Sequence, residues 1–256
     1  MNFSKDCPVK IVMLGAGGTG GHAAPHLYRL LHSLERKVRF ILVDGDTVEK
    51  KNLVRQNFTA HDLGRNKART IAERYADAFG MNPEFIQDFI EEKAQLTELV
   101  KPKEHRHMTR NGRWKKNEEL VILVGAVDNN KSRKMCHEVF MKAENLVYID
   151  AGNGEFGGQV VCGVRRYGKT MFKPVGALYP DVLDETDKFP SELSCAEASI
   201  SSPQAITANI TAATIVVDII YNIVVLGRND VHCAPFSTKT VSIKPHIKQP
   251  ERRKAA

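Results

Sequence analysis

Between residues 43 and 58 the chain reads VDGDTVEKKNLVRQNF, and the order of its polar residues suggests chemistry. Asp44 ends an apolar run, Phe40-Ile41-Leu42-Val43, that reads as a buried strand. Asn52 and Arg55 follow within eleven residues, and Lys67 lies a little beyond. A carboxylate at a strand's end can accept hydrogen bonds from ribose hydroxyls. A guanidinium and an ammonium brought to one place can neutralise phosphate oxygens. Asp46 has no evident task in this pattern beyond bracing the loop.

The elements before this stretch must deliver a nucleotide to it. Lys10-Ile11-Val12-Met13-Leu14 is a short apolar strand that runs into Gly15-Ala16-Gly17-Gly18-Thr19-Gly20 and then a helix, Gly20 to Leu34. Gly15, Gly17, Gly18 and Gly20 let the backbone turn sharply and approach a phosphate, while the helix start offers unpaired N–H groups. Asp44, twenty-four residues after Gly20, completes an adenine-nucleotide signature that a dehydrogenase would nearly share. Asn52, Arg55 and Lys67 separate the two readings. Forming an acyl-adenylate requires neutralising a triphosphate while a carboxylate attacks the α-phosphate, commonly with Mg²⁺ held by a carboxylate. Hydride transfer has no use for that set.

The ordered motifs GAGGTG (15–20), VDGDTVEKKNLVRQNF (43–58), LGRNK (63–67), AVDNNKSR (126–133), DAGNGEFGGQ (150–159) and SCAEA (194–198) resemble the ThiF/MoeB/ubiquitin-activating enzyme family over most of residues 10 to 226. The resemblance implies adenylation, with Mg-ATP, of the C-terminal glycine of a small ubiquitin-fold protein ending in Gly-Gly, by a homodimer. It places Asp44 on the ribose, Asn52, Arg55 and Lys67 at the phosphates, and Asp128 at Mg²⁺. As a plainer alternative, Asp128 caps a helix starting near Ser132. Cys195 matches the cysteine that takes over the activated group in many relatives, and a helix N-terminus nearby would lower its pKa. Arg133 reads as structural. Three departures stand out: residues 1 to 10 offer only Lys5 and Lys10 where MoeB-type relatives carry an arginine finger, C-x-x-C zinc pairs are missing, and no ubiquitin-fold domain follows. That compactness resembles stand-alone bacterial ThiF-type proteins of PRTRC or ubiquitin-like conjugation operons.

Competing readings are a tRNA threonylcarbamoyl-adenosine cyclising dehydratase of the same family and a nucleotide-binding scaffold without catalysis. The net charge of +7 is concentrated. Residues 101 to 117 hold seven Lys or Arg against one Glu, and residues 244 to 256 hold five against one, so these read as a solvated basic loop insertion and a flexible basic tail. Nucleic acid is a possible but not favoured partner. No uninterrupted run of eighteen apolar residues and no secretory leader are seen, which predicts a cytoplasmic protein with no membrane span. Five cysteines without a C-x-x-C pair argue against a disulfide framework.

Helical stripes over 66–79, 94–100 and 132–142 alternate with strands over 85–90, 120–124 and 146–149. This predicts an α/β fold, a doubly wound, Rossmann-like, mostly parallel sheet with antiparallel C-terminal strands, in a single adenylation domain over 1–256. A strand over 157–165, a crossover loop over 166–198, a long apolar helix from Gln204 to Leu226 and a closing edge strand from Thr238 to Ile243 complete the reading.

Overall fold

The computed structural model describes residues 1–108, 114–184, 187–192 and 204–247. Strand β1 (Val9–Leu14) leads through the glycine loop into helix α1 (Gly18–His32), and β2 (Val38–Val43) precedes the 3₁₀ turn Lys50–Val54 and helix α2 (Lys67–Ala78). Next come β3 (Glu84–Ile86), α3 (Lys93–Val100), a hairpin of β4 (Glu104–Met108) and β5 (Trp114–Glu118), then β6 (Leu120–Gly125), α4 (Asn130–Lys142) and β7 (Leu146–Asn153). The remainder comprises β8 (Gly157–Arg166), β9 (Lys169–Phe172), α5 (Val175–Leu178), α6 (Ile206–Tyr221), β10 (Val231–Ser237), β11 (Ser242–Ile243) and β12 (His246–Ile247).

In the main sheet β3, β2, β1, β6 and β7 lie side by side in that order, all parallel. Antiparallel β8 and β10 extend it beyond β7. The apolar runs are explained by coverage on both faces. Ile11, Met13, Phe40, Leu42, Ile122 and Val124 pack with α1, α2 and α6. Their neighbours Val12, Leu14, Ile41, Val43, Val121 and Leu123 pack with α3 and α4 on the other face. Strand order reverses between β1 and β6, so the carboxyl ends of these two strands open the crevice where ligands bind in such sheets.

Helix α6 and its continuation reach from Ile206 to Leu226, long and apolar enough by length and composition to cross a bilayer. It serves as a core helix against α1, with Ala208, Asn209, Ala212, Val216 and Ile220 fully buried.

Four expectations need correction. The basic segment 101–117 is largely a β-hairpin, with Glu104 opposite Glu118 and Arg106 opposite Lys116. Its base is fixed from below: Lys10, 3% exposed, donates to the Lys101 carbonyl at 2.7 Å and faces buried Glu119 at 3.5 Å. Within the crossover 166–198, β9, α5 and the turns Pro180–Leu183 and Pro190–Glu192 replace a plain loop. The closing strand is Val231–Ser237, pairing with β8, and only Ser242–Ile243 of the expected strand is extended. Pro235 had disguised β10, since proline removes a ladder donor and demotes a run as a strand candidate. Finally, the start of the basic tail is held, with His246–Ile247 paired to β10; residues 248–256 lie outside the described residues.

Candidate active site

At the carboxyl ends of β1, β2 and β6 lies a cleft of about 290 Å³. Gly15, Gly17, Gly18, Asp44, Asn52, Arg55, Lys67 and Asp128 all line it. Gly20 does not. It sits in α1, where a Cβ would meet the Gly15 carbonyl oxygen at 1.9 Å, so its smallness serves packing of helix on loop. Cys195 lies outside the described residues. The four described cysteines are all free and buried.

The glycine loop is held from β2. Asp44 is 7% exposed, and its two oxygens accept the N–H groups of Ala16 at 2.7 Å and Asp46 at 2.9 Å. Burial pushes its carboxyl up to about 6; Asp46 adds to the rise, while Lys67 and the two backbone N–H groups oppose it. Gly15, at φ +94°, makes the turn itself, donating to the Val43 carbonyl at 2.8 Å. The first turn of α1 has no side-chain cap, which leaves its amides available to an anion.

Lys67 begins α2, whose N-cap is Asn66. Its side chain is 8% exposed and its Nζ lies 2.7 Å from the Asp46 carboxylate, which is half-exposed. This gives Asp46 a purpose that its position in the motif did not reveal: it holds the ammonium at the cleft. Asn52 is buried and doubles as a brace, its Oδ1 accepting the Glu49 N–H at 2.8 Å. Its amide nitrogen has no acceptor among the described residues and is available to a ligand. Arg55 is half-buried and donates from Nη1 to Gln204 Oε1 at 2.8 Å.

Asp128 is exposed in the loop between β6 and α4. Helix capping falls to its neighbour: Asn129 accepts the Ser132 N–H at 2.8 Å, and α4 begins at Asn130 rather than near Ser132. Asp128 is thus released from the plainer role considered above. Among the described residues no group of three or more His, Cys, Asp or Glu is placed to hold a metal. Mg²⁺ needs no such group, because it is commonly bound by one or two carboxylates and substrate phosphates. Asp128, exposed and without a hydrogen-bond or ion-pair partner among the described residues, fits that mode.

Several lining residues escaped assignment from sequence. Phe89 lies over Gly45, where a Cβ would meet the ring at 2.7 Å, and with Leu14, Val43, Ile90 and Val127 it supplies apolar surface. Thr19, Asn153 and Gln204 form a polar chain: Thr19 donates to Asn153 Oδ1 at 3.1 Å, and Asn153 to buried Asn209 at 2.8 Å. The Gln56 Oε1 is buried without a hydrogen-bond partner among the described residues. Thr19, Gln56 and Asn153 stood inside the quoted motifs, whereas Phe89 and Gln204 carried no signal.

A parallel sheet with a glycine loop and a cleft at the strand-order reversal defines a doubly wound, Rossmann-like α/β protein. The chain matches the ThiF family over residues 7–255, and it belongs to that family. Among solved structures it is similar to PaaA, with a TM-score of 0.61 at 18% identity over 93% of this chain and 64% of that one. It is also similar to E. coli MccB with ATP, at a TM-score of 0.60 and 17% identity over 93% of this chain and 63% of that one. A third likeness is to the microcin C7 biosynthetic enzyme MccB in complex with N-formylated MccA, at 0.59 and 18%, with coverages of 93% and 64%. The chain therefore spans about 64% of the length of these neighbours. Compared with curated proteins by sequence, it has no significant match.

Because Asp44 titrates higher when folded, its sign is fixed. Its contribution to stability is fully present below its ordinary value near 4 and is lost as pH rises through about 6. The wild-type chain should therefore lose stability relative to Asp44→Asn between pH 4 and 6.5 in denaturant titrations; parallel curves would contradict this.

Proposed function

We propose that the chain is an ATP-dependent adenylyltransferase that activates the C-terminal glycine carboxylate of a small ubiquitin-like or sulfur-carrier protein. The observation that carries this reading is the arrival of Asp44, Arg55, Lys67 and Asp128 at one cleft with the glycine loop. Family membership and the ATP and MccA named with the MccB structures support it.

Adenine rests against Phe89, Ile90 and Val127, and Asp44 accepts from the ribose hydroxyls. The phosphates meet the first amides of α1, Arg55 and Lys67. Negative charge that builds on the phosphates is stabilised by these fixed donors. The carrier's carboxylate oxygen forms a bond to the α-phosphorus as the bond to the bridging oxygen of the β-phosphate breaks, and pyrophosphate leaves. Mg²⁺, held by Asp128 together with phosphate oxygens, would supply further charge neutralisation. Lys67 is presented ready for this role by Asp46.

Of the two N-terminal cations available as a finger towards a partner's site, Lys10 is committed to the base of the hairpin. Lys5 is exposed and is the one of the two left for a role across a homodimer.

ATP–pyrophosphate exchange tests the reading. Label should enter ATP only with a carrier ending in Gly-Gly; exchange stimulated by tRNA instead would overturn it. The acyl group then passes to Cys195, whose thiolate attacks the acyl carbon and expels AMP to leave a thioester. A covalent carrier adduct cleaved by DTT should form in the wild type and vanish in Cys195→Ala. An undiminished adduct would remove Cys195 from the pathway.

A further inference from the structure

Beneath the loop that carries Asp128 lie three side chains that nucleotide binding leaves unused: Arg133, Tyr148 and Asp150. Asp150 is 1% exposed. Its Oδ2 accepts the Tyr148 hydroxyl at 2.8 Å and stands 3.6 Å from Arg133 Nε. Asp150 Oδ1 and Arg133 Nε have no hydrogen-bond partner among the described residues. Burial raises the Asp150 carboxyl above its ordinary range, with Arg133 and Tyr148 pulling it back. A buried, incompletely bonded ion pair is a poor device for stability, since well-packed apolar residues commonly do as well or better.

The far end of Arg133 shows what the pair holds. Its Nη2 donates to the Val127 carbonyl at 2.9 Å, and its Nη1 to Asn130 Oδ1 at 3.3 Å. These two contacts bracket Asp128 on either side. Room for the arrangement is left by two glycines: a Cβ on Gly125 would lie 3.3 Å from Asp150 Oδ2, and one on Gly152 would lie 3.2 Å from Arg133 Nη2.

We infer that Arg133, braced by Asp150 and Tyr148, is a positioning residue that sets the Asp128 carboxylate in the cleft and thereby governs affinity for a divalent cation carried by the nucleotide. The inference rests on the nucleotide site proposed above. It requires a planar fork, because a single ammonium cannot reach the Val127 carbonyl, Asn130 and Asp150 together.

Calorimetric titration of the full chain with ATP, in Mg²⁺ and separately in EDTA, tests it without any carrier. In the wild type Mg²⁺ should tighten ATP binding. In Arg133→Lys and Asp150→Asn the affinity in EDTA should stay within about twofold, while the tightening by Mg²⁺ should shrink about tenfold, as for outer partners of metal ligands generally. Asp128→Asn should likewise lose the tightening by Mg²⁺, and a merely structural defect in the other variants would lower affinity in EDTA as well. Tyr148→Phe keeps the ring and should shrink the Mg²⁺ effect in the same direction, so the test survives if the other two variants fail to fold. An undiminished Mg²⁺ effect in the folded variants would overturn the inference. Absence of ATP binding by the unaltered chain would overturn the nucleotide reading, and this inference with it.

Discussion

Arg55→Ala is expected to slow ATP–pyrophosphate exchange by about a thousandfold or more, the lower end of what arginines contribute to phosphoryl transfer. The fold should barely register the change. Arg55 is half-buried, and among the described residues its guanidinium makes one side-chain hydrogen bond, to Gln204. Losing such a bond costs about 1 kcal/mol, or about 3 °C in Tm for a chain of this size. Arg55→Lys should recover only part of the rate, because an ammonium cannot bind two phosphate oxygens in the same planar fork. An Arg55→Ala rate within about tenfold of wild type would remove Arg55 from the phosphate site.

Gly20→Ala is expected to have the opposite profile, with a large loss of stability. The added carbon would lie 1.9 Å from the Gly15 carbonyl oxygen and 3.3 Å from Met13 Sδ. The carbonyl cannot simply retreat. Gly15 is tied through its N–H to Val43, and a Cβ there would lie 2.4 Å from the Ala126 oxygen, so β1, β2 and the β6–α4 loop meet at this point. Overpacking of this kind costs about 3 kcal/mol, and here it opens the glycine loop as well. Denaturant unfolding should show that loss. Gly154→Ala, with nothing within 4 Å of its Cβ position, should stay within about 0.5 kcal/mol of wild type. Equal stability of the two variants would contradict the assignment of Gly20 to packing.

The parallel half of the sheet was legible because its strands are covered on both faces. Leu120 to Val124 needs to be apolar throughout, and it reads that way. Loops with glycine, and residues fixed by the strand ends, were legible for the same local reasons. What could not be read depends on distant partners or on side chains that mask the backbone. The ion pair of Asp46 with Lys67 joins positions twenty-one residues apart through a turn. Gln204 meets Arg55 across 149 residues. Charge hid the pairing of β4 with β5, and Pro235 hid β10. The cap at Asn129 rather than Asp128 is an error of one residue, within the usual uncertainty of helix ends, yet it decides whether a carboxylate is free for chemistry.

The central claim is that this cleft directs attack onto the α-phosphate, and the products of ATP cleavage test it most directly. The chain should be incubated with Mg-ATP, a carrier ending in Gly-Gly and a thiol acceptor, and the nucleotides and phosphates quantified. AMP and pyrophosphate in equal amounts, dependent on the carrier and abolished in Arg55→Ala, is the result predicted. Release of ADP and inorganic phosphate, or ATP cleavage indifferent to the carrier, would contradict it.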